Sequence, residues 1–400
     1  MKILVLNSGS SSLKFQVIDM ENETLMIKGI VEKIGIEGSF LDYHVAGDSV
    51  RVDQQVKDHH EAVHLMFDVL TGGEFQILGS LSELTAIGHR VVHGGEYFSA
   101  AVKIDDAVIE KIQLCSDLAP LHNPANLAGI AVCSQLLPNI PQVAVFDTAF
   151  HQTMPAEYYL YPIPYEYYTK YRVRRYGFHG TSHEYVFNKR AELFKTSDKQ
   201  TRVITCHIGN GASLTAIMNG EVLETSMGMT PLGGLMMGTR SGDIDPGIIT
   251  MLMKKEGLTP DKMENILNKK SGLLGVSEKS SDLRDTLAGW KAGDERSTIT
   301  LAMYVDSIVK YIGAYVALMN GVDAIVLTAG IMERSEPVRK LLLEKLARLG
   351  STLDAKKNIQ VDEERCITTK DSQVPVYVIP TNEELMIAEE TRTILKSLAS

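Results

Sequence analysis

Ile3-Leu4-Val5-Leu6 runs into Asn7-Ser8-Gly9-Ser10-Ser11-Ser12, and the chain then returns through Leu13-Lys14-Phe15-Gln16-Val17-Ile18-Asp19. The same device recurs far downstream. Val203-Ile204-Thr205-Cys206-His207-Ile208 leads into Gly209-Asn210-Gly211-Ala212-Ser213, followed by Leu214-Thr215-Ala216-Ile217-Met218. Each copy reads as a short apolar strand, a turn of small hydrogen-bonding residues and a returning strand. Glycine lets successive backbone N–H groups close on an anion, and serine hydroxyls add donors, so such a turn is shaped for phosphate. One turn of this kind is common between strands. Its repetition at the heads of two halves predicts two lobes that hold one polyphosphate, and phosphoryl transfer as the chemistry. Neither turn completes G-x-x-x-x-G-K-[ST] or G-x-G-x-x-G, which argues against a P-loop or a dinucleotide fold.

The chain has 400 residues, enough for two domains with substantial cores. Its 44% hydrophobic and 22% charged residues are those of a soluble globular protein. A net charge of −10 argues against a nucleic-acid partner, so an anionic ligand must be met by locally placed Arg, Lys, backbone N–H groups or metal. Cys115, Cys133, Cys206 and Cys366 are scattered without a C-x-x-C pair and read as reduced thiols. The apolar run at the N-terminus stops at Asn7, too short for a signal peptide, and no uninterrupted apolar stretch reaches membrane-spanning length. The expectation is a cytoplasmic protein that contacts no membrane.

Strand-like and helical patterns alternate, which predicts an α/β architecture. Strands are expected at 3–7, 13–19, 85–92, 142–147, 203–208, 213–218, 324–328 and 374–379. Helices are expected at 59–71, 105–117, 123–137, 182–194, 246–256, 260–269, 295–320, 335–349 and 382–398. Thr181 or Ser182 is the natural N-cap of the helix near 182, and Asp245-Pro246 opens another. Thr381-Asn382-Glu383-Glu384 reads as a capping box. The domain boundary falls near 148–165, where Pro155, Pro162 and Pro164 interrupt a tyrosine-rich segment that reads as packing or interface surface.

Several motifs carry charge or chemistry. Gly88-His89-Arg90-Val91-Val92-His93-Gly94-Gly95 ends an apolar strand with a cation, and Gly238-Thr239-Arg240-Ser241-Gly242-Asp243 presents a second. A single such arginine is ordinarily an ion-pair residue. Two in glycine-flanked loops suit planar, bidentate recognition of carboxylate or phosphate. Tyr176-Gly177-Phe178-His179-Gly180 sets a histidine between glycines just before a helix, where a cap or packing role is the ordinary one. Asp147 ends a buried-looking strand, a frequent seat of catalytic groups in α/β sheets. Thr328-Ala329-Gly330-Ile331 follows a strand and suits a base or ribose. Glu383, in the first turn of the last helix, suits either helix-dipole compensation or water-mediated magnesium.

Taken together, Asn7 to Lys14, Gly88 to Gly95, Leu118 to Pro124, Phe146 to Gln152, Gly177 to His183, Thr225 to Gly228, Gly238 to Pro246 and Pro380 to Glu384 resemble the acetokinase family, in order and over the whole chain. The resemblance implies a two-domain actin-like ATPase fold with a duplicated mixed-sheet core and an interdomain active-site cleft. Its lobes would be 1–149 plus 384–400, with the last helix packing back, and 150–383, the nucleotide-binding and dimerisation lobe. It implies an ATP-dependent kinase that makes an acyl phosphate from acetate, reversibly, as a homodimer with small-molecule substrates. By the family pattern, Arg90 and Arg240 hold the acyl carboxylate and the phosphoryl group, His179 stabilises the transition state and Asp147 is the active-site acid. Asn7 and Glu383 organise magnesium, or manganese in its place. Ser10, Ser12, Lys14, His207, Ile208, Gly209, Asn210 and Gly211 line the polyphosphate. Val92, Leu121, Phe178 and Pro231 form the acyl pocket with His122 nearby. Asp282, Leu283 and Arg284, with Gly330, Ile331, Met332, Glu333 and Arg334, contact the nucleoside.

The sequence departs from the family in that last loop, which ordinarily reads G-I-G-E-N and here reads Gly330-Ile331-Met332-Glu333-Arg334. A Cβ at a position needing positive φ or close contact costs about 1 kcal/mol or more. The expectation is weaker ATP binding, or a donor preference moved toward another nucleotide or pyrophosphate. Propionate or butyrate in place of acetate is the other alternative, since one methylene is worth only about 1–3 kcal/mol in an apolar pocket.

Overall fold

The structure is a computed structural model that describes residues 1–72, 75–195, 201–359 and 363–399. The chain divides into two compact units, Met1–Gln152 with Asn382–Ser400, and Thr153–Thr381.

The first unit is built on β1 (Lys2–Ser8), β2 (Ser12–Asp19), β3 (Thr24–Glu32), β4 (Phe40–Val45), β5 (Asp48–Asp53), β6 (Leu84–Val91), β7 (Val102–Lys103) and β8 (Gln142–Phe146). Their order across the sheet is β5-β4-β3-β2-β1-β6-β8-β7. β1 to β5 form an antiparallel meander, whereas β1, β6 and β8 run parallel. A strand covered on both faces must be apolar through its middle, and β1 is, from Ile3 to Leu6. Leu4 and Leu6 join a core with Val63 and Met66 of helix His59–Gly72 and with Val132 and Cys133 of helix Asn123–Leu136. Ile3 and Val5 pack on the other face with Val143, Val145 and, from the last helix Glu383–Ala399, Ile387 and Ala388. Gly88 of β6 makes room for that helix, because a Cβ there would lie 2.5 Å from Thr391 Oγ1.

The second unit repeats the plan with β9 (Arg202–Ile208), β10 (Ala212–Met218), β11 (Glu221–Thr225), β12 (Ala324–Thr328), β13 (Arg365–Cys366) and β14 (Val376–Val378), ordered β11-β10-β9-β12-β14-β13. β9 and β10 are antiparallel, whereas β9, β12 and β14 are parallel. The core of each unit is therefore a hairpin whose first strand continues into a parallel set. The turns match too: Gly9 N–H donates to Ser12 O at 2.8 Å, and Gly209 N–H donates to Gly211 O at 3.0 Å.

Every expected strand and helix is present, with ends moved by a few residues. β3, β4, β5, β7, β11 and β13 were not anticipated. β5 and β11 lie toward the sheet edges and alternate exposed with covered residues, so they lack a continuous apolar run. Two caps differ from expectation. The helix Gly180–Phe194 is capped by His179, at φ 59°, ψ 23°, and not by Thr181 or Ser182, both buried inside its first turn. The last helix is capped by Asn382, whose Oδ1 accepts from Leu385 N–H at 3.1 Å, while the Thr381 hydroxyl bonds Ser182 Oγ instead of closing a capping box. Asp245 caps as expected, with Pro246 at the first position.

Among the described residues one helix, Glu295–Leu318, is long and apolar enough to cross a membrane. Here one side of it packs against helices Gly272–Ser277, Leu283–Lys291 and Glu336–Leu346 and against β10, while Ile299 and Met303 stay exposed.

Candidate active site

In the first unit, the C-terminal ends of the parallel strands β1, β6 and β8 lie side by side and carry Asn7, Arg90 and Asp147 to one edge of the sheet. That edge is where α/β sheets bind ligands. Arg90 Nε donates to Asp147 Oδ1 at 3.0 Å and Nη2 donates to Oδ2 at 2.5 Å, while Nη1 reaches Asn7 Oδ1 at 3.3 Å. Asp147 is buried and anchored by its own N–H on Val91 O at 3.0 Å. Burial disfavours the charge on Arg90, but the carboxylates of Asp147, Glu383 and Glu384 outweigh it and hold its pKa above the ordinary arginine value. Glu383 is pushed up to about 7, first by burial and then by Asp147 and Glu384, with Arg90 and Lys14 pulling the other way. Lys14 pairs with Asn7 across the β1–β2 hairpin and is exposed, as is Ser10 in the turn.

Val92 is buried behind this edge. Leu121 is 68% exposed, and His122 beside it also faces outward at the head of helix Asn123–Leu136. Phe178 and Pro231, expected in the same pocket, belong to the second unit, where Phe178 is buried.

In the second unit the groups gather around the Gly209-Asn210-Gly211 turn. A Cβ on Gly211 would lie 3.3 Å from His179 Nε2 and 3.4 Å from Arg240 Nη1, so both side chains converge on the turn's backbone. His179 stacks on His207, with centroids 4.1 Å apart and planes 17° apart. It adopts a left-handed backbone, which is uncommon outside glycine, costs about 1–3 kcal/mol and persists where surrounding structure enforces it. Arg240 Nη1 donates to Pro231 O at 3.2 Å. Burial lowers its pKa from the ordinary arginine value, and among the described residues no carboxylate pairs with it.

Gly209 and Asn210 also border a cavity of ≈ 610 Å³ lined by Asp282, Leu283, Arg284, Gly330, Ile331 and Arg334. That volume suits a nucleoside. Asp282 caps helix Leu283–Lys291 and is forked by Arg284, with Nε–Oδ2 at 2.9 Å. Met332 and Glu333 do not line the cavity. Met332 is fully buried in the short helix Ala329–Arg334, and Glu333 turns its carboxylate to Thr381 N–H at 3.0 Å. Neither Met332 nor Arg334 has positive φ. The left-handed residue of this loop is Ala329, at φ 66°, so the strain expected from the altered loop is absent at the altered positions.

A sequence profile described as the acetokinase family matches residues 2–389. This chain belongs to the acetokinase family. It is 53% identical over 400 residues to an acetate kinase of Caldanaerobacter subterraneus subsp. tengcongensis, covering all of both chains. It is also similar to the crystal structure of Porphyromonas gingivalis acetate kinase, with TM-score 0.95 at 48% identity, covering 98% of this chain and 99% of that one. A propionate kinase from Francisella tularensis subsp. tularensis SCHU S4 matches with TM-score 0.91 at 41% identity over 98% and 99% of the two chains. The two mixed sheets are those of the actin-like fold expected for the family.

Family membership does not by itself explain how the site loops are held, and three supports went unread in the sequence. Asn126 Oδ1 accepts from Val92 N–H at 3.1 Å while its Nδ2 donates to Ser8 O at 2.7 Å, tying the first turn to the Arg90 loop. Asn123 holds His93 through both N–H and C=O. Arg339, fully buried, donates to Met332 O at 2.7 Å, Glu333 O at 2.9 Å and Asn358 Oδ1 at 2.7 Å, closing the C-terminus of the nucleoside-loop helix. The only sequence signal for these is a polar residue at a helix position that periodicity assigns to the core.

Proposed function

We propose that this chain catalyses the reversible, magnesium-dependent transfer of the ATP γ-phosphoryl group to acetate, giving acetyl phosphate and ADP. The observation that carries the reading is Arg240: a half-buried guanidinium with no carboxylate partner among the described residues, directed with His179 at a glycine turn shaped for phosphate. Such a cation is satisfied by an anionic ligand. Acetate, with a carboxyl pKa of roughly 4–5, is already an anionic nucleophile at neutral pH and needs no base. The barrier is repulsion between it and an anionic γ-phosphate.

Arg90 serves the acyl carboxylate from the first unit, with Asp147 fixing the plane of its guanidinium. Arg240 and His179 serve the phosphoryl group from the second, each fixed donor contributing about 3–4 kcal/mol at most. Ser10, Ser12, Lys14 and the residues His207 to Gly211 supply donors to the polyphosphate, and the ≈ 610 Å³ cavity takes the nucleoside. By the family pattern, Val92, Leu121 and His122 in the first unit and Phe178 and Pro231 in the second are the residues assigned to the acyl group.

The donors available to a metal fit magnesium. Asn7, Asp147, Glu383 and Glu384 offer only oxygen. Among the described residues no group of three His, Cys, Asp or Glu could hold an ion unaided, as suits a metal carried largely by phosphate oxygens and water. Asn7 and Glu383 would hold it, and it would supply charge neutralisation on the transferring phosphates.

We also propose a homodimer. In the second unit, Ile299 and Met303 of helix Glu295–Leu318 are each 47% exposed and share a groove with Ile244, an apolar surface suited to a second copy. The four free cysteines and the need for ATP support a cytoplasmic location.

Trapping with hydroxylamine tests the central reading: ATP, magnesium and acetate should yield acetohydroxamate, and absence of trapped acyl phosphate with acetate, propionate and butyrate alike would overturn it. The Francisella relative makes propionate the second acceptor to measure. Running the same acceptors against ATP, GTP and pyrophosphate reads donor preference, with ATP expected to lead.

A further inference from the structure

Behind His179 an unbroken line of polar side chains runs into the core of the second unit. His179 Nδ1 lies 2.8 Å from Ser213 Oγ, which lies 2.8 Å from His183 Nε2, and His183 Nδ1 lies 2.7 Å from Thr205 Oγ1. Ser213, His183 and Thr205 are completely buried. The elements explain the alignment: Thr205 and Ser213 stand on the paired strands β9 and β10, and His179 and His183 are one turn apart at the start of the helix that packs on β9.

We infer that Thr205 fixes which nitrogen of His179 carries its proton. The reasoning is a count of donors along the line. Among the described residues, Thr205 Oγ1 has one hydrogen-bond neighbour, His183 Nδ1. A buried hydroxyl whose proton points at nothing is costly, so Thr205 donates and His183 Nδ1 accepts. Neutral His183 then carries its proton on Nε2 and donates it to Ser213 Oγ. The single Ser213 proton is left for His179 Nδ1. With Nδ1 accepting, neutral His179 bears N–H on Nε2, the nitrogen directed at the Gly211 turn. If every bond ran the other way, the Thr205 proton would be stranded, and His179 would turn a lone pair toward the turn.

The consequence for turnover rests on the reading of His179 as a donor to the phosphoryl group. An Nε2–H attracts phosphoryl oxygens, whereas an Nε2 lone pair repels them. Thr205 and Ser213 are thus positioning residues acting through His179, the usual relation between an active imidazole and the group behind it.

The test is tautomer-sensitive NMR on the full chain labelled with [15N]histidine, with the His179 signal assigned by its loss in His179→Gln. Wild type should show the Nε2–H form. Thr205→Val, which keeps shape and removes the donor, and Ser213→Ala, which cuts the line beside His179, should each convert it to a mixture or to Nδ1–H. kcat should fall about tenfold or more, KM should change less, and Thr205→Ser should restore both tautomer and rate. An Nδ1–H ring in the wild type, which requires no variant to fold, overturns the inference, as does a Thr205→Val protein with an unchanged His179 ring. A changed ring with unchanged kcat upholds the tautomer assignment and removes His179 from the phosphoryl role.

Discussion

Arg90 meets Asp147 in a two-point grip, Nε to Oδ1 at 3.0 Å and Nη2 to Oδ2 at 2.5 Å, with the carboxylate almost entirely enclosed. The grip fixes the plane of the guanidinium. On the proposed role of Arg90, an acyl carboxylate would have to compete with this resident one, or bind the Nη1 edge that now faces Asn7. Removing the cation therefore has two costs.

Arg90→Ala should lower kcat by about 10² or more, since a fixed charge is lost from the transition state. It should also destabilise the first unit by up to about 3 kcal/mol, because Asp147 is left buried without its partner. Arg90→Lys should fail to restore rate, because an ammonium cannot fork the carboxylate. Steady-state kinetics and urea denaturation check the two parts separately. An Arg90→Ala enzyme turning over near the wild-type rate removes Arg90 from the chemistry.

Two buried histidines should cost stability as the pH falls below about 6.5. His89 is buried against Gln142, Nε2 to Oε1 at 2.7 Å, and burial holds its pKa down to about 4; burial likewise lowers His151 to about 3. Between the unfolded value near 6.5 and these folded values, the unfolded chain binds more protons, so stability is present above pH about 6.5 and lost as the pH drops toward 4. Each ring contributes at most about 1.4 kcal/mol per pH unit in that window. Glu383, pushed up to about 7, acts in the opposite sense between pH 7 and 4.5, so the histidine contribution is read as a difference: the urea midpoint should drop more, or rise less, from pH 7.5 to 5 in wild type than in His89→Gln. An identical pH dependence in the two proteins would contradict the burial argument.

What the sequence made legible follows from where information is dense. The two turns, Arg90 and Asp147 sit at the ends of apolar strands, and there a motif and its place in the sheet coincide; Arg240 lies instead in the loop between β11 and helix Pro246–Glu256, and only its glycine neighbours marked it. Their grouping at sheet edges is a matter of parallel order, which β1, β6 and β8 supply. The supports were not legible. Asn126, Arg339 and Thr205 each act by filling a hydrogen bond from a distant segment, 118 residues away in the case of Asn126 and Ser8. A single chain gives no sign of such pairing. His179 shows the same limit: its glycine neighbours hint at a turn, yet the left-handed cap is visible only in the backbone.

The altered nucleoside loop gives a prediction opposite to the one its sequence suggests. Met332 is fully buried and outside the cavity, so Met332→Gly should not improve ATP binding. It should leave a void and place glycine within a helix, costing about 2–5 kcal/mol. Arg334 borders the cavity, so Arg334→Asn should alter the KM for ATP with little change in stability. Thermal melts and nucleotide titrations of the two single variants check this. A Met332→Gly protein that is both stable and tighter for ATP would refute the placement.

Ser8 Oγ is buried beside the first glycine turn and finds no partner among the described residues, and it lies where a Cβ on Gly129 would stand. Ser8→Ala should therefore be neutral or stabilising by about 1 kcal/mol, since an unsatisfied hydroxyl is removed from the interior. Gly129→Ala should destabilise by about 1–3 kcal/mol through overpacking. It should also raise the KM for acetate, because helix Asn123–Leu136 carries Asn123 and Asn126, which hold the Val92–His93 backbone. In the double variant the clashing oxygen is gone, but the new Cβ still stands 3.2 Å from the Cβ at position 8. It should recover part of the lost stability and part of the acetate affinity. Urea denaturation and acetate KM for the four proteins form a double-mutant cycle. Strict additivity of the two substitutions would show that this helix does not press on the turn at Ser8.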